Sequence, residues 1–102
     1  AAYYQMGLRF YNKNQYLQAL EMFDRVDPDY ENLATLLSAL RQEMKVHADV
    51  LYKQGVKYFI NEELSSAIAS WEKALALNPD HPKAEQDIEN AEDLLKKLEK
   101  IQ

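Results

Sequence analysis

Few side chains in this sequence could carry out chemistry. The two histidines, His47 and His81, are the first candidates. A metal site or a general base needs convergent partners, and neither histidine has a second histidine at ligand spacing. We therefore expect a structural or solvent-exposed role for both.

A cluster of carboxylates occurs in the stretch DRVDPDYE, which contains Asp24, Asp27, Asp29 and Glu31. A calcium loop would also need a central glycine and a distant bidentate glutamate, and here Pro28 interrupts the segment. Acidic residues that end one helix and begin the next explain the stretch better.

Nucleophilic chemistry also lacks its usual residues. The sequence contains no cysteine, which excludes thiolate metal sites, disulfides and cysteine nucleophiles. The serines at positions 38, 65, 66 and 70 have no histidine nearby in sequence, and no glycine-rich phosphate loop is present. We predict a non-enzymatic protein with no catalytic residues, no metal and no cofactor.

The composition is that of a compact helical protein. Of 102 residues, 47% are hydrophobic and 28% charged, with only two glycines and three prolines. The net charge of −5 and the scattered basic residues argue against a nucleic-acid partner. The longest apolar runs fall far short of the roughly 20 residues that span a bilayer, so we expect no membrane insertion. No targeting segment is recognisable, and we expect the chain to be a piece of a longer protein.

The strongest pattern is an internal repeat. The stretch YQMGLRFY, with Gly7, recurs 48 residues later as YKQGVKYF, with Gly55. A glycine inside a helix costs about 1 kcal/mol relative to alanine, so its recurrence indicates a packing role. The match extends through the pairs Tyr4 and Tyr52, Leu8 and Val56, Tyr11 and Phe59, Ala19 and Ala67, and Phe23 and Trp71.

Each copy has the apolar spacing of two amphipathic helices joined by a polar turn, at residues 12–14 and 61–63. In the second copy a small, aromatic and proline pattern is formed by Gly55, Tyr58, Ala67, Trp71, Ala74 and Pro79. This pattern resembles the tetratricopeptide repeat over residues 48–81, which implies an all-α fold of antiparallel helix pairs. Residues 1–28 resemble a degenerate repeat, whose second helix must be short because Pro28 comes early. We expect Gly55 to admit the paired helix near Ala67, with Tyr58 packed at that crossing.

The spacing of 48 exceeds the family period of 34 residues and leaves 14 residues to place. An apolar ladder with gaps of three and four runs from Tyr30 to Tyr58. It predicts one extended helix of about 30 residues over positions 30–60, or roughly 45 Å. The alternative is a break at residues 45–47, where the ladder becomes polar.

The end of the chain predicts a capping helix over residues 82–102, with Pro82 in its first turn and acidic residues before basic ones. We therefore expect a single domain, residues 1–102, in four parts. These are the degenerate repeat 1–28, the helix extension 29–47, the repeat 48–81 and a solvating capping helix.

In tetratricopeptide arrays the first helices line a concave groove that receives a partner peptide or helix. The resemblance assigns partner binding to Tyr4, Leu8, Tyr11, Tyr52, Lys53, Val56 and Phe59. Lys53 is the only cation among them, so a carboxylate clamp is not expected. Aromatic stripes of this kind are also common inside cores, and the long helix or the capping helix could cover them.

The sequence thus predicts a protein-protein interaction scaffold that binds a partner helix or peptide. The alternative is a structural, self-associating module of a larger protein, with a homodimer formed through the long helix. The last part of the chain also resembles repeat segments of bacterial cell-envelope proteins. The residues leave the choice between cytoplasm and periplasm open.

Overall fold

The computed structural model describes residues 2–101, which form five helices and, within that range, no strand. The helices are α1 (Ala2–Asn12), α2 (Tyr16–Phe23), α3 (Leu33–Ile60), α4 (Leu64–Leu77) and α5 (Ala84–Ile101). The all-α prediction is confirmed. None of these helices is long and apolar enough to cross a membrane.

Helix α3 is the extended helix that the apolar ladder predicts. It has 28 residues, or about 42 Å at 1.5 Å per residue, and it continues without interruption through residues 45–47. The alternative of a break at that point is therefore wrong. The residues do divide into two compact units there, Ala1–Met44 and Lys45–Gln102.

The two units contain the same turn, 48 residues apart. In the first unit, the amide of Gln15 donates to the carbonyl of Phe10 (2.9 Å) and that of Asn14 to the carbonyl of Tyr11 (3.0 Å). In the second unit, the amide of Glu63 donates to Tyr58 (2.9 Å) and that of Glu62 to Phe59 (3.0 Å).

Both turns have the bonding pattern of a Schellman motif, which satisfies the last carbonyls of a helix and needs a left-handed residue. Asn14 (φ 60°) and Glu62 (φ 64°) supply that conformation. The repeat seen in the sequence is therefore a repeat of backbone geometry as well.

Each unit is closed by a bulky ring that lies against a glycine. A Cβ atom added to Gly7 would lie 2.6 Å from Cδ1 of Phe23, and one added to Gly55 would lie 2.5 Å from Cδ1 of Trp71. Both rings are buried, with exposed fractions of 0% and 2%. The helices of each pair can approach closely because the glycine has no side chain. The ring of the partner helix fills the space that this side chain would take.

The prediction for Tyr58 is wrong. Its side chain is 39% exposed instead of packed at the helix crossing. Trp71 fills the space beside Gly55, because its indole is larger than a phenol and reaches the backbone of α3.

The first part of α3 is the third helix of the first unit, just as α5 is the third helix of the second unit. Leu33 and Leu40 are buried in α3, and the residues 51 positions later, Ala84 and Ala91, are buried in α5. Ala84 and Ala91 pack in one cluster with Ala67 and Trp71 of α4, so α5 takes the predicted capping position. The 14 extra residues are therefore the third helix of the first unit, fused to the first helix of the second.

Candidate functional site

Tyr52 of α3 lies between two other rings in the second unit. Its ring centroid is 6.1 Å from that of Trp71, with the planes 28° apart, and 4.6 Å from that of His81. Tyr4, its counterpart in the first unit, lies 6.0 Å from Phe23 and 4.7 Å from Tyr30. Both units therefore hold this tyrosine half-buried in a cluster of three rings.

The polar groups of Tyr52 are also fixed. Its hydroxyl donates a hydrogen bond of 2.5 Å to Oδ2 of Asp87 on α5, and its carbonyl accepts one of 3.0 Å from Nε1 of Trp71 on α4. Burial, followed by the Asp87 carboxylate and the nearby charge of Asp49, raises the pKa of Tyr52 to about 12. Tyr52 is thus a neutral hydrogen-bond donor that links α3 to α5.

His81 has the structural role that the sequence predicts for it. Its Nδ1 accepts hydrogen bonds from the amides of Lys83 (3.3 Å) and Ala84 (3.2 Å), and its side chain is almost entirely buried. These bonds satisfy free amides of the turn that leads into α5, and Pro82 in that turn has no amide hydrogen to satisfy. The His81 side chain therefore caps the N-terminal end of α5 from the turn before it.

Nε2 of His81 points to Asp49, 3.5 Å from its Oδ1. Because Nδ1 accepts two amides, the proton of the neutral ring belongs on Nε2. Asp49 also pairs with Lys53, 3.4 Å away and one helical turn along α3. The Lys53 ammonium and then His81 hold the pKa of Asp49 below its ordinary value. Lys53, predicted to bind a partner, is exposed beside this pair.

The other predicted residues of the second unit line a cavity of about 310 Å³. Tyr52, Val56 and Phe59 come from α3, and the remaining lining residues are Trp71, Asp87 and Asn90. We call this the aromatic cavity. The ring of Phe59 is 38% exposed and lies 5.9 Å from that of Trp71, so it lies at the solvent-facing edge of the core.

A second pocket, of about 580 Å³, adjoins the aromatic cavity at Phe59. It is lined by Phe59, Ile60, Glu62, Leu64, Leu94 and Leu98, and we call it the apolar pocket. The pocket was not predicted from the sequence because the last helix was interpreted as a solvating capping helix. Leu98 is 43% exposed and Leu94 37% exposed. The three leucines in the stretch DLLKKLEK exceed what one buried stripe needs, and this was the available signal.

The residues of the first unit that were predicted to bind a partner are all partly buried within that unit. Leu8 and Tyr11 are half-buried on α1. The Tyr11 ring meets Tyr16 edge to face, with 6.4 Å between centroids. Burial, together with the hydrogen bond to Glu43 and the charge of its carboxylate, raises the pKa of Tyr11.

Within residues 2–101 no group of three or more His, Cys, Asp or Glu side chains could hold a metal ion. The model of the tetratricopeptide repeat family matches residues 48–81, the second part of α3 together with α4 and the turn that follows it. The family resemblance seen in the sequence is thereby confirmed for this repeat. No curated protein and no solved structure matches the chain.

Proposed function

We propose that this chain, which carries a tetratricopeptide repeat at residues 48–81, is a non-enzymatic scaffold that binds a helix or extended segment of a protein partner. The aromatic cavity would receive the partner. The observation that carries this proposal is the open apolar surface that Tyr52, Val56 and Phe59 form beside the buried Trp71.

The cavity supports this function because its walls are fixed before a partner arrives. Tyr52 is held by Trp71, His81 and Asp87, so its ring loses little rotamer freedom on binding. Binding is stronger where the contact surface is already ordered, since less conformational entropy is lost. Buried aromatic anchors also provide much of the binding free energy in known interfaces.

The polar lining gives the cavity a means to orient a partner. Asp87 and Asn90, both on α5, stand at the wall that faces the aromatic residues of α3. A carboxylate and an amide can accept hydrogen bonds from main-chain or side-chain donors of a bound segment. Lys53, on the surface of α3, would add one cation to the recognition of acidic partner groups.

The test uses Phe59→Ala, because Phe59 is accessible while Tyr52 stabilises the fold. Purified chain would serve as bait for partners from the cells that express it, identified by mass spectrometry. We expect the specific partner to be lost with Phe59→Ala and with Val56→Ser, while circular dichroism stays unchanged. Leu17→Ala, at a leucine of the first unit that is 46% exposed, is the matched control. Retention of the same partner by both cavity variants would contradict the proposal.

A further inference from the structure

The wall that α5 contributes to the aromatic cavity contains a carboxylate, Asp87. The other walls contain the rings of Tyr52, Phe59 and Trp71. Asp87 is half-buried, and it forms no ion pair in the part of the chain that the structure describes. Covering an unpaired carboxylate costs free energy unless a positive charge replaces the water around it. A partner that fills this cavity is therefore expected to bring a cation.

The hydrogen bond from Tyr52 does not exhaust the capacity of Asp87. The phenol donates to Oδ2, whereas an ionised carboxylate has about four acceptor positions on its two oxygens. Lys53 follows Tyr52 directly on α3, but its ammonium pairs with Asp49. The Asp87 carboxylate can therefore accept hydrogen bonds from a charged group of a partner.

The carboxylate is particular to the second unit. The position 51 residues before Asp87, in the third helix of the first unit, is occupied by Leu36. Tyr4 nevertheless lies against Phe23 and Tyr30 in that unit, so the packing of the repeated tyrosine does not need an acid at this place. The aromatic walls are thus repeated between the units, whereas the charge is not.

The aromatic walls also favour a cation. The face of an aromatic ring attracts a positive charge that lies within about 6 Å of its centroid. The methylene groups of a lysine or arginine side chain can lie along Val56 and Phe59 while the charged end reaches Asp87. A cavity of about 310 Å³ is at the small end of ligand sites, so it fits one side chain of a partner.

We propose that the aromatic cavity receives one cationic side chain of the bound partner, a lysine or an arginine, with its charge at the Asp87 carboxylate. This inference rests on the proposed function and names the group that the partner inserts. An acidic side chain would be repelled by Asp87 at the same place. An aliphatic side chain would cover the carboxylate without providing a charge for it.

Analogues of the two side chains test this inference on the whole chain. The probes are n-butylguanidinium and n-butylammonium, and neutral n-butylurea is their control. Each is titrated at constant ionic strength and followed by the NMR signals of the Trp71 indole and the Asn90 side-chain amide. We expect at least one cation to bind in the millimolar range and at least about fivefold more tightly than n-butylurea.

Asp87→Asn removes the charge but keeps an acceptor for the Tyr52 hydroxyl, and it should weaken binding of the cation at least about fivefold. Asp93→Asn removes a carboxylate of α5 that does not line the cavity, and it should leave binding unchanged. Circular dichroism checks that both variants keep their helices. If Asp87→Asn does not fold, the comparison of cations with n-butylurea on the original chain still decides.

Three results would overturn the inference. These are equal binding of the cations and n-butylurea, unchanged binding in Asp87→Asn, and no binding of either cation. Partner capture separates this inference from the proposed function. A partner that is lost with Phe59→Ala and Val56→Ser but kept by Asp87→Asn would contradict the cationic side chain alone. A partner kept by Phe59→Ala and Val56→Ser would contradict the proposed function, whatever the probes show.

Discussion

Nε1 of Trp71 donates a hydrogen bond to the main-chain carbonyl of Tyr52, 3.0 Å away, inside the helix α3. A carbonyl oxygen has two lone pairs, so it can accept the indole as well as its own helical amide. This bond fixes the indole edge one turn before Gly55, where the ring needs the space left by the missing side chain. The repeat is therefore held by a contact between a side chain and a main chain, which constrains both Trp71 and Gly55.

Gly55→Ala should destabilise the protein, although alanine is the better helix former. The added methyl group would lie 2.5 Å from Cδ1 of Trp71, and overpacking of this kind costs about 1–3 kcal/mol. The gain in helix propensity returns about 1 kcal/mol. We expect a net loss of up to about 2 kcal/mol in the free energy of unfolding, measured with urea.

The matched comparison is Gly7→Ala, which meets Phe23 in the same way at 2.6 Å. Both variants should be less stable than the original chain. An increase in stability with either one would show that the ring can move aside, and would contradict the packing role of the glycine.

Tyr52→Phe removes the hydrogen bond to Asp87 and should cost about 1 kcal/mol of unfolding free energy at neutral pH. The cost should shrink as the pH rises. The pKa of Tyr52 is about 12 in the folded protein against 10.0 for an ordinary tyrosine, so the folded state holds this proton more tightly. Stability that depends on the neutral phenol is complete below pH 10 and is lost between pH 10 and 12.

Urea unfolding at a series of pH values measures this loss. The relevant quantity is the unfolding free energy of the original chain minus that of Tyr52→Phe at each pH. The subtraction cancels Tyr11 and Tyr16, whose pKa values burial also raises. Asp87→Asn should move the pKa of Tyr52 back toward 10, because it removes a neighbouring negative charge. A constant difference between pH 9 and 12 would contradict the role given to the Asp87 carboxylate.

His81→Ala should destabilise the second unit by about 1–2 kcal/mol, because it leaves the amides of Lys83 and Ala84 without an acceptor. His81→Asn also loses the ring packed against Tyr52, but its side-chain oxygen can cap the helix. The difference between the two variants therefore measures the cap alone, and we expect about 1 kcal/mol in favour of asparagine. Fluorescence of Trp71, the single tryptophan, follows unfolding of this unit. Equal stabilities would show that the cap contributes nothing.

Lys53→Ala should change the unfolding free energy by less than about 0.5 kcal/mol, because its ion pair with Asp49 is exposed and lies within one helix. If Lys53 orients a partner, the same variant should weaken capture of that partner. Lys57→Ala, on the same helix, controls for loss of a positive charge. An effect on stability as large as that of Gly55→Ala would instead give Lys53 a structural role.

The sequence was sufficient to predict the helices because their signals are local. The gaps of three and four from Tyr30 onward predict α3, and the spacing of 48 between Gly7 and Gly55 predicts the repeat. The match to residues 48–81 and the 28-residue helix confirm both. Periodicity and turn residues indicate such elements without knowledge of the tertiary contacts.

The contacts between helices were harder to predict because they depend on side-chain reach in three dimensions. Tyr58 is exposed, and Trp71 packs beside Gly55 instead. Both results depend on the size and direction of the rings, which sequence spacing does not encode. The same holds for His81, whose capping bonds to the next helix are invisible as a motif. The exposure of Leu94 and Leu98 on α5 was likewise not predicted, because a helical wheel cannot give the width of the contact.

The two three-ring clusters are built with connections of different length. Tyr30 reaches Tyr4 seven residues after the end of α2 at Phe23, whereas His81 reaches Tyr52 only four residues after the end of α4 at Leu77. The position of the third ring against the tyrosine is therefore the same in both units, whereas the length of the connection before it differs. For protein engineering, the exposed residues 27–29, and not the buried Val26 before them, are therefore the place to test a foreign loop ahead of Tyr30.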